Sequence, residues 1–489
     1  MRGRFKEDRH MTRINSNIPA LLSNRQLGRS QGRLSVSLER LATGLRINRG
    51  ADDPAGLIVS EVLRSEIAGV RQAIDNSQRA ANVISTTEAA LNEVAALLND
   101  IQALVVQAAN SGAVSSDEIR ANQLQIDSAV ESITRIANTT SFAGRRLLDG
   151  SLDYLTSGVN TGDIEALSVN AATFGNRSYI PVTINVTQSA QHGELRFANS
   201  QIAQSISIQV AGNNGVVSLS FISGTRASAI AAAINVVTEA TGVSAGLINP
   251  GFAASGIVLR SQRYGSNAFV QVEVLPSSAG TFALIDAGGA STNRDIGRDA
   301  AATINGATSI GNGRDLILNT TGLNIALTIS EAFNRPGSTT FAITGGGALF
   351  QLGPGINSNQ QVNVGVRSIA ASELGNGTLG FLSQIVTGQN YSLVNGESGR
   401  AAKIIQEAIR QVSLLRGRLG AFEKNTVQTN VSQLQITLEN LTSSESSIRD
   451  VDFAAQTSQL TRDQILVQAG TAVLAIANRS PQSVLQLLQ

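Results

Sequence analysis

The side chains that could do acid–base, metal or nucleophilic chemistry are few and poorly spaced for it. The chain has two histidines, His10 and His192, and no cysteine. A zinc site of three histidines, or of two histidines and two cysteines, lacks its ligands. Thiolate nucleophiles and iron–sulfur clusters are excluded outright. His192 lies in Gln191-His-Gly-Glu194, with no second histidine to complete a HExxH zinc helix. Gly345-Gly-Gly347 lacks the Lys-Ser or Lys-Thr with which a glycine loop holds phosphate. Asp295 and Asp299 offer a carboxylate pair for acid–base work, but in loop sequence they read as solvated charges. No catalytic residue, metal ligand or cofactor site is predicted, and the chain reads as a non-enzyme.

Apolar residues carry the regular spacing instead. Leu34, Leu38, Leu41 and Leu45 step by 4, 3, 4, as do Leu63, Ile67, Val70 and Ile74. Leu91, Val94, Leu98, Ile101 and Val105 continue the pattern, and so do Ile126, Val130, Ile133 and Ala137. Near the C-terminus it returns in Val427, Val431, Leu434, Leu438 and Leu441, then in Leu466, Ala469, Val473 and Ile476. Such heptads lay a narrow apolar seam along one helix face, and a narrow seam needs a partner helix. Spacing alone leaves two partners open, another helix of the same chain or a neighbouring copy.

The elements that carry these seams are bounded by glycine and proline. Of the 46 glycines, 31 lie in residues 151–390, and proline is absent from 55–180 and from 355–480. Two helix-permissive arms therefore flank a turn-rich middle. Asp53 is placed to cap a helix with Pro54 at its first position, so one helix should stop near Arg49 and another start near Pro54. Ser480-Pro481 sets off a short apolar tail, Val484, Leu485, Leu487 and Leu488. In the middle, Val182–Thr187 and Ser205–Val210 alternate as half-buried strands do, and Asn213-Asn-Gly215 signals a hairpin. A helix is predicted over Arg226 to Thr241.

Composition narrows the function classes. Charged residues make up 15% of 489 and the formal net charge is +1, too little field to favour nucleic acid. No run of about 18 apolar residues suggests a membrane span. MRGRFKEDRH lacks the apolar core of a Sec signal. The chain is thus cytoplasmic, or exported without a cleaved signal.

Both arms resemble bacterial flagellin. The resemblance rests on INSNIPAL (14–21), LERLATGLRINRGADDPAGLIVSE (38–61), NSQRAANVISTTEAALNEV (76–94) and FAGRRLLDG (142–150). At the other end it rests on LRGRLGAFEKNTVQTNVSQLQITLENLTSSESSIRDVDFA (415–454), LTRDQILVQAGTAVLA (460–475) and PQSVLQLL (481–488). Within the middle, residues 221–243 resemble the family's hook-type repeat. Residues 1–10 lie outside the resemblance and read as an extension, with Met11 a second candidate start.

The resemblance implies an α+β fold whose terminal arms pair into a coiled-coil-like helical stalk, with a β-rich outer region inserted between them. Residues 11–53 with 446–489 would form the inner domain, 54–165 with 392–445 a second helical domain, and 166–391 the outer part. Function would be head-to-tail assembly into the extracellular flagellar filament. The implied partners are other copies, hook-junction and cap proteins, the export apparatus and an export chaperone. Leu34, Leu38, Leu41, Leu45, Leu466, Val473, Leu485 and Leu488 are the candidate subunit-packing residues, and Asp53 and Pro54 the joint between the two helical domains. Some family members are detected by an innate receptor through an arginine-containing helix. Here Asp100 stands at the arginine position and Gln125 at an acidic partner position, while Leu104 and Gln107 are retained, which predicts weak recognition. The alternatives are a hook–filament junction protein, and an adhesin that uses the middle region.

Overall fold

A computed structural model describes residues 16–486 apart from Ser111, Asn176, 253–254 and 277–279, with side chains as far as Arg479. The extension 1–10, Met11 and Leu488 lie outside the described residues, and so does the side chain of Leu485. Along the chain the helices are α1 (Ile18–Thr43), α2 (Pro54–Ala109), α3 (Ser116–Thr139), α4 (Ala227–Val236), α5 (Thr238–Thr241), α6 (Ser398–Phe422), α7 (Thr429–Arg449) and α8 (Phe453–Gln486). The fold is α+β, and the chain divides into two compact units, 1–75 with 430–489 and 76–429.

In the first unit, α1 and α8 run antiparallel. Asn17 Nδ2 donates to Ala477 O at 2.8 Å near one end, and Leu45 bridges to Asp450 at the other. Gly44 ends α1 at φ 74°, a left-handed cap that glycine adopts without steric cost, and its N–H returns to Arg40 O. This stops the helix well before Arg49, where the sequence placed its end. α2 begins at Pro54 as read from the sequence, and Asp53 Oδ1 accepts the Gly56 N–H at 2.9 Å. α8 continues through Pro481, so the predicted break there is absent. A proline removes one bond from the ladder, and the turns on either side still close. Val70, Ala73 and Leu434 form a small core between α2 and α7, with Ile74, Leu438 and Leu441 against it.

The second unit holds three cores. A helical core gathers Leu91, Val94, Leu98, Ile101 and Val105 of α2, Ile126, Val130 and Ile133 of α3, and Ile404, Ile405, Val412 and Leu419 of α6. Ser115 starts α3 with a full capping box to Glu118. By length and composition α2 passes as a helix that could cross a bilayer, and 28% of its most apolar window is buried; the Leu91–Val105 seam faces the helical core.

The second core lies between two antiparallel sheets. One has the order Ala307–Thr308, Ala301–Ile304, Ile180–Gln188, Gly337–Gly346, Tyr154–Ser157. The other has the order Ile310–Asn312, Asp315–Asn319, Leu323–Ile329, Ile164–Ala172. The third core packs α4 against the sheets containing Glu194–Phe197 and Ile206–Gly212. The predicted hairpin pairs Ile206–Gly212 with Val216–Phe221, and the predicted middle helix is divided at Val237 into α4 and α5.

The cores divide the middle differently from the sequence reading. Ala348, Val364, Val366, Ile369, Leu374, Leu382 and Ile385 pack into the helical core, although 166–391 was assigned to the outer part. Tyr154 and Ile164 pack with the strands, although 54–165 was assigned to the helical domain. Strand and loop residues join whichever apolar surface they can cover, and sequence spacing does not record which one that is.

Candidate assembly interface

Two seams of the helix pair meet in one chain. On α1 the shielded positions are Leu27, Ser30, Leu34, Ser37 and Leu41; on α8 they are Leu460, Asp463, Val467, Gly470, Leu474 and Ala477. Both sets step by 3 and 4, the period of antiparallel helices packed side by side. A Cβ built on Gly470 would sit 3.7 Å from Leu27 Cβ, so the helices approach closely there.

The stripe read from the C-terminal sequence is therefore one residue away from the seam that α1 covers. Leu466 is 40% exposed, Val473 52% and Ile476 69%, and on α1 Leu38 is 50% exposed. Ile18, Leu21, Leu22, Phe453 and Ile465 are exposed as well. Leu34, Leu41 and Leu45 are half-buried. The seams of the second unit behave oppositely, because Leu91 through Val105 and Ile126 through Ala137 are closed by their own chain. Two helices can bury one stripe each, so a second apolar stripe stays wet unless another molecule covers it.

Both arms leave helical geometry at one level. The chain breaks between α1 and α2 and again between α7 and α8, and the breaks pair: Arg46 N donates to Arg449 O at 2.7 Å and Val451 N to Gly44 O at 3.0 Å. Asp53 lies 3.6 Å from Arg46. The Arg49 and Asn48 N–H groups hold the Asp52 carboxyl below its usual range, Arg49 foremost. Arg449 donates to Glu61 at 2.8 Å and lowers that carboxyl likewise.

The receptor-equivalent positions lie on the helices of the second unit. Asp100 and Gln107 on α2 and Gln125 on α3 are exposed, and Leu104 is half-buried. The loop groups considered for chemistry have structural partners. Asp295 Oδ2 accepts the Glu194 N–H at 2.7 Å. Burial would raise the Asp299 carboxyl, but hydrogen bonds from Ser266 and Gly313 outweigh it and hold it low. The His192 ring lies 3.7 Å from that of Tyr264.

The model of the bacterial flagellin N-terminal helical region matches residues 14–153, and that of the C-terminal helical region matches 402–488. A flagellin of Salmonella rubislaw is 30% identical over 516 residues, spanning 97% of this chain and 99% of that protein. The chain belongs to the bacterial flagellins. It is a structural subunit of the motility filament, and a hook–filament junction role is not favoured. A B-type flagellin of Pseudomonas aeruginosa is 28% identical to this flagellin over 507 residues, covering 97% of it and 99% of the relative. Among solved structures, the D2–D3 domains of the Escherichia coli flagellar cap protein FliD match 39% of this flagellin and 98% of their own chain, at 23% identity and TM-score 0.28. The flagellar junction protein FlgL of Legionella pneumophila matches 80% of this flagellin and 99% of its own chain, at 11% identity and TM-score 0.28.

Proposed function

We propose that copies of this flagellin join head-to-tail through the apolar stripes that α1 and α8 leave uncovered. The supporting observation is the exposure of Leu38, Leu466 and Val473 beside an already filled seam. Covering them yields roughly 25 cal/mol per Å² of apolar surface. An isologous patch would close into a dimer, whereas a head-to-tail contact whose rotation does not close makes a helical fibre. Leu34, Leu41, Leu45, Leu485 and Leu488 complete the proposed packing set. Residues 11–53 with 446–489 form the innermost layer, and Asp53 and Pro54 mark its joint to the next. The helical core forms the second layer and the two strand cores the outer one.

The end helices order on joining the filament. Ordering costs about 1–2 kcal/mol per residue, which burial at the growing tip offsets. A chain without cysteine carries no disulfide to hinder passage, unfolded, through a narrow export channel, and an export chaperone escorts it there. Hook-junction and cap proteins meet it at the two filament ends. Asp100 and Gln125 make it a weak ligand for the innate receptor that reads other flagellins; full potency in a receptor reporter assay would overturn that part. Seeded elongation tests the main reading. Purified subunits should lengthen filament fragments of this protein, and material that stays monodisperse over the seeds would refute it.

A further inference from the structure

The α1–α8 seam holds a carboxylate where packing alone would place a leucine. Asp463 is 1% exposed. Its Oδ2 accepts the Ser37 hydroxyl at 3.1 Å, and Arg33 Nε lies 3.4 Å from Oδ1. Arg33 reaches on to Ser30 Oγ at 3.2 Å, and Gln459, one turn back on α8, lies 3.3 Å from Oδ2. Ser30 and Ser37 are buried with it. The rest of the seam is Leu27, Leu34 and Leu41 against Leu460, Val467, Gly470 and Leu474. Apolar residues repeating every three or four positions fill one another nearly as well after a slip of one turn.

We infer that Asp463, with Ser37 and Arg33, is a polar key that fixes the register of the terminal helix pair. This rests on the assembly reading and deepens it, because the register decides where the exposed stripes of the two helices stand relative to each other. A slip of one turn sets the Asp463 carboxylate against Leu34 or Leu41 and the Ser37 hydroxyl against Val467 or Leu460. Leucine and valine return no hydrogen bond, so the slipped pair buries the carboxylate without the Ser37 hydroxyl, with Gln459 of its own helix as the donor that moves with it. The aligned pair gains little stability from the key; what the key supplies is the penalty on the alternatives. Asp463 is thus a positioning residue: it acts through Ser37 of its own chain.

The chain has no native cysteine, so register can be read by disulfide trapping. Leu27→Cys with Gly470→Cys reports the aligned pair, since those Cβ positions are 3.7 Å apart, within disulfide range. Leu27→Cys with Val467→Cys, or with Leu474→Cys, reports slips of one turn. In filaments grown from seeds, the aligned pair should oxidise at least about tenfold faster than either displaced pair. Adding S37A and D463A should bring the displaced pairs within about threefold of the aligned one. D463N keeps an acceptor for the Ser37 hydroxyl and should restore the preference. Subunits that do not elongate alone are read as a minority mixed into unsubstituted subunits. A preference unchanged by S37A/D463A overturns the key and leaves assembly standing. Failure of the unsubstituted chain to lengthen seeds removes the assembly reading, and the key with it.

Discussion

Replacing Val473 and Ile476 together by alanine separates contacts within one chain from contacts between chains. Full burial of a valine or isoleucine side chain is worth about 1.5–3 kcal/mol. Val473 is 52% exposed and Ile476 69% in the single chain. About half to two-thirds of each value therefore remains for a neighbour to collect, roughly 1–2 kcal/mol per residue. Losing both costs about 2–4 kcal/mol at the growing tip, which raises the critical concentration roughly 30-fold to several hundred-fold. The isolated chain should hardly notice, because its end helices order only on joining the filament, and even in a formed helix such exposed truncations stay within about 0.5 kcal/mol. Two measurements on the same preparation decide: the subunit left in the supernatant after seeded growth, and the urea midpoint of the unpolymerised chain. A critical concentration within about threefold of the unsubstituted value would refute the reasoning. A urea midpoint lowered by the full amount would show instead that these residues pack inside their own chain.

Three further outcomes are expected. Leu98→Ala, in the fully closed helical core, should lower unfolding free energy by about 2–5 kcal/mol in urea titration, in contrast to V473A/I476A. Removing 154–346 should leave seeded elongation intact, because Gly347 N already donates to Asp153 O at 3.1 Å and a short glycine–serine link can close the ends; loss of elongation would place the filament contacts in the strand cores. Burial pushes the Tyr154 phenol up to about 12 from 10.0, so the folded chain keeps a proton that the unfolded chain releases. The stability from that difference is complete below pH 10 and disappears as pH rises to about 12, a loss of roughly 3 kcal/mol. The loss should be missing in Tyr154→Phe, measured as urea midpoints across that window.

The sequence by itself determined most of the helical arms. Leu91 to Val105 and Ile126 to Ala137 form buried seams because an uninterrupted heptad run can present one face to one core, and no glycine or proline breaks either run. The cap at Asp53 and the hairpin at Asn213-Asn-Gly215 were equally legible, since each depends on a few adjacent residues. That thiolate sites and a three-histidine zinc site lack their ligands was a matter of residue count. Tertiary structure alone decided which of two neighbouring stripes on α8 meets α1. Both Leu466–Val473–Ile476 and Val467–Gly470–Leu474 carry the same period, and close approach at Gly470 with the Asp463–Ser37 contact chose the second. Spacing had singled out the stripe of larger side chains, while the helix pair closes over the smaller and more polar one. The allocation of 348–385 to the helical core was likewise invisible in the chain. Those residues are loops and short strands whose burial depends on α2, α3 and α6 being in place beneath them, and no local pattern encodes a surface supplied largely by α2 and α3, more than two hundred residues away.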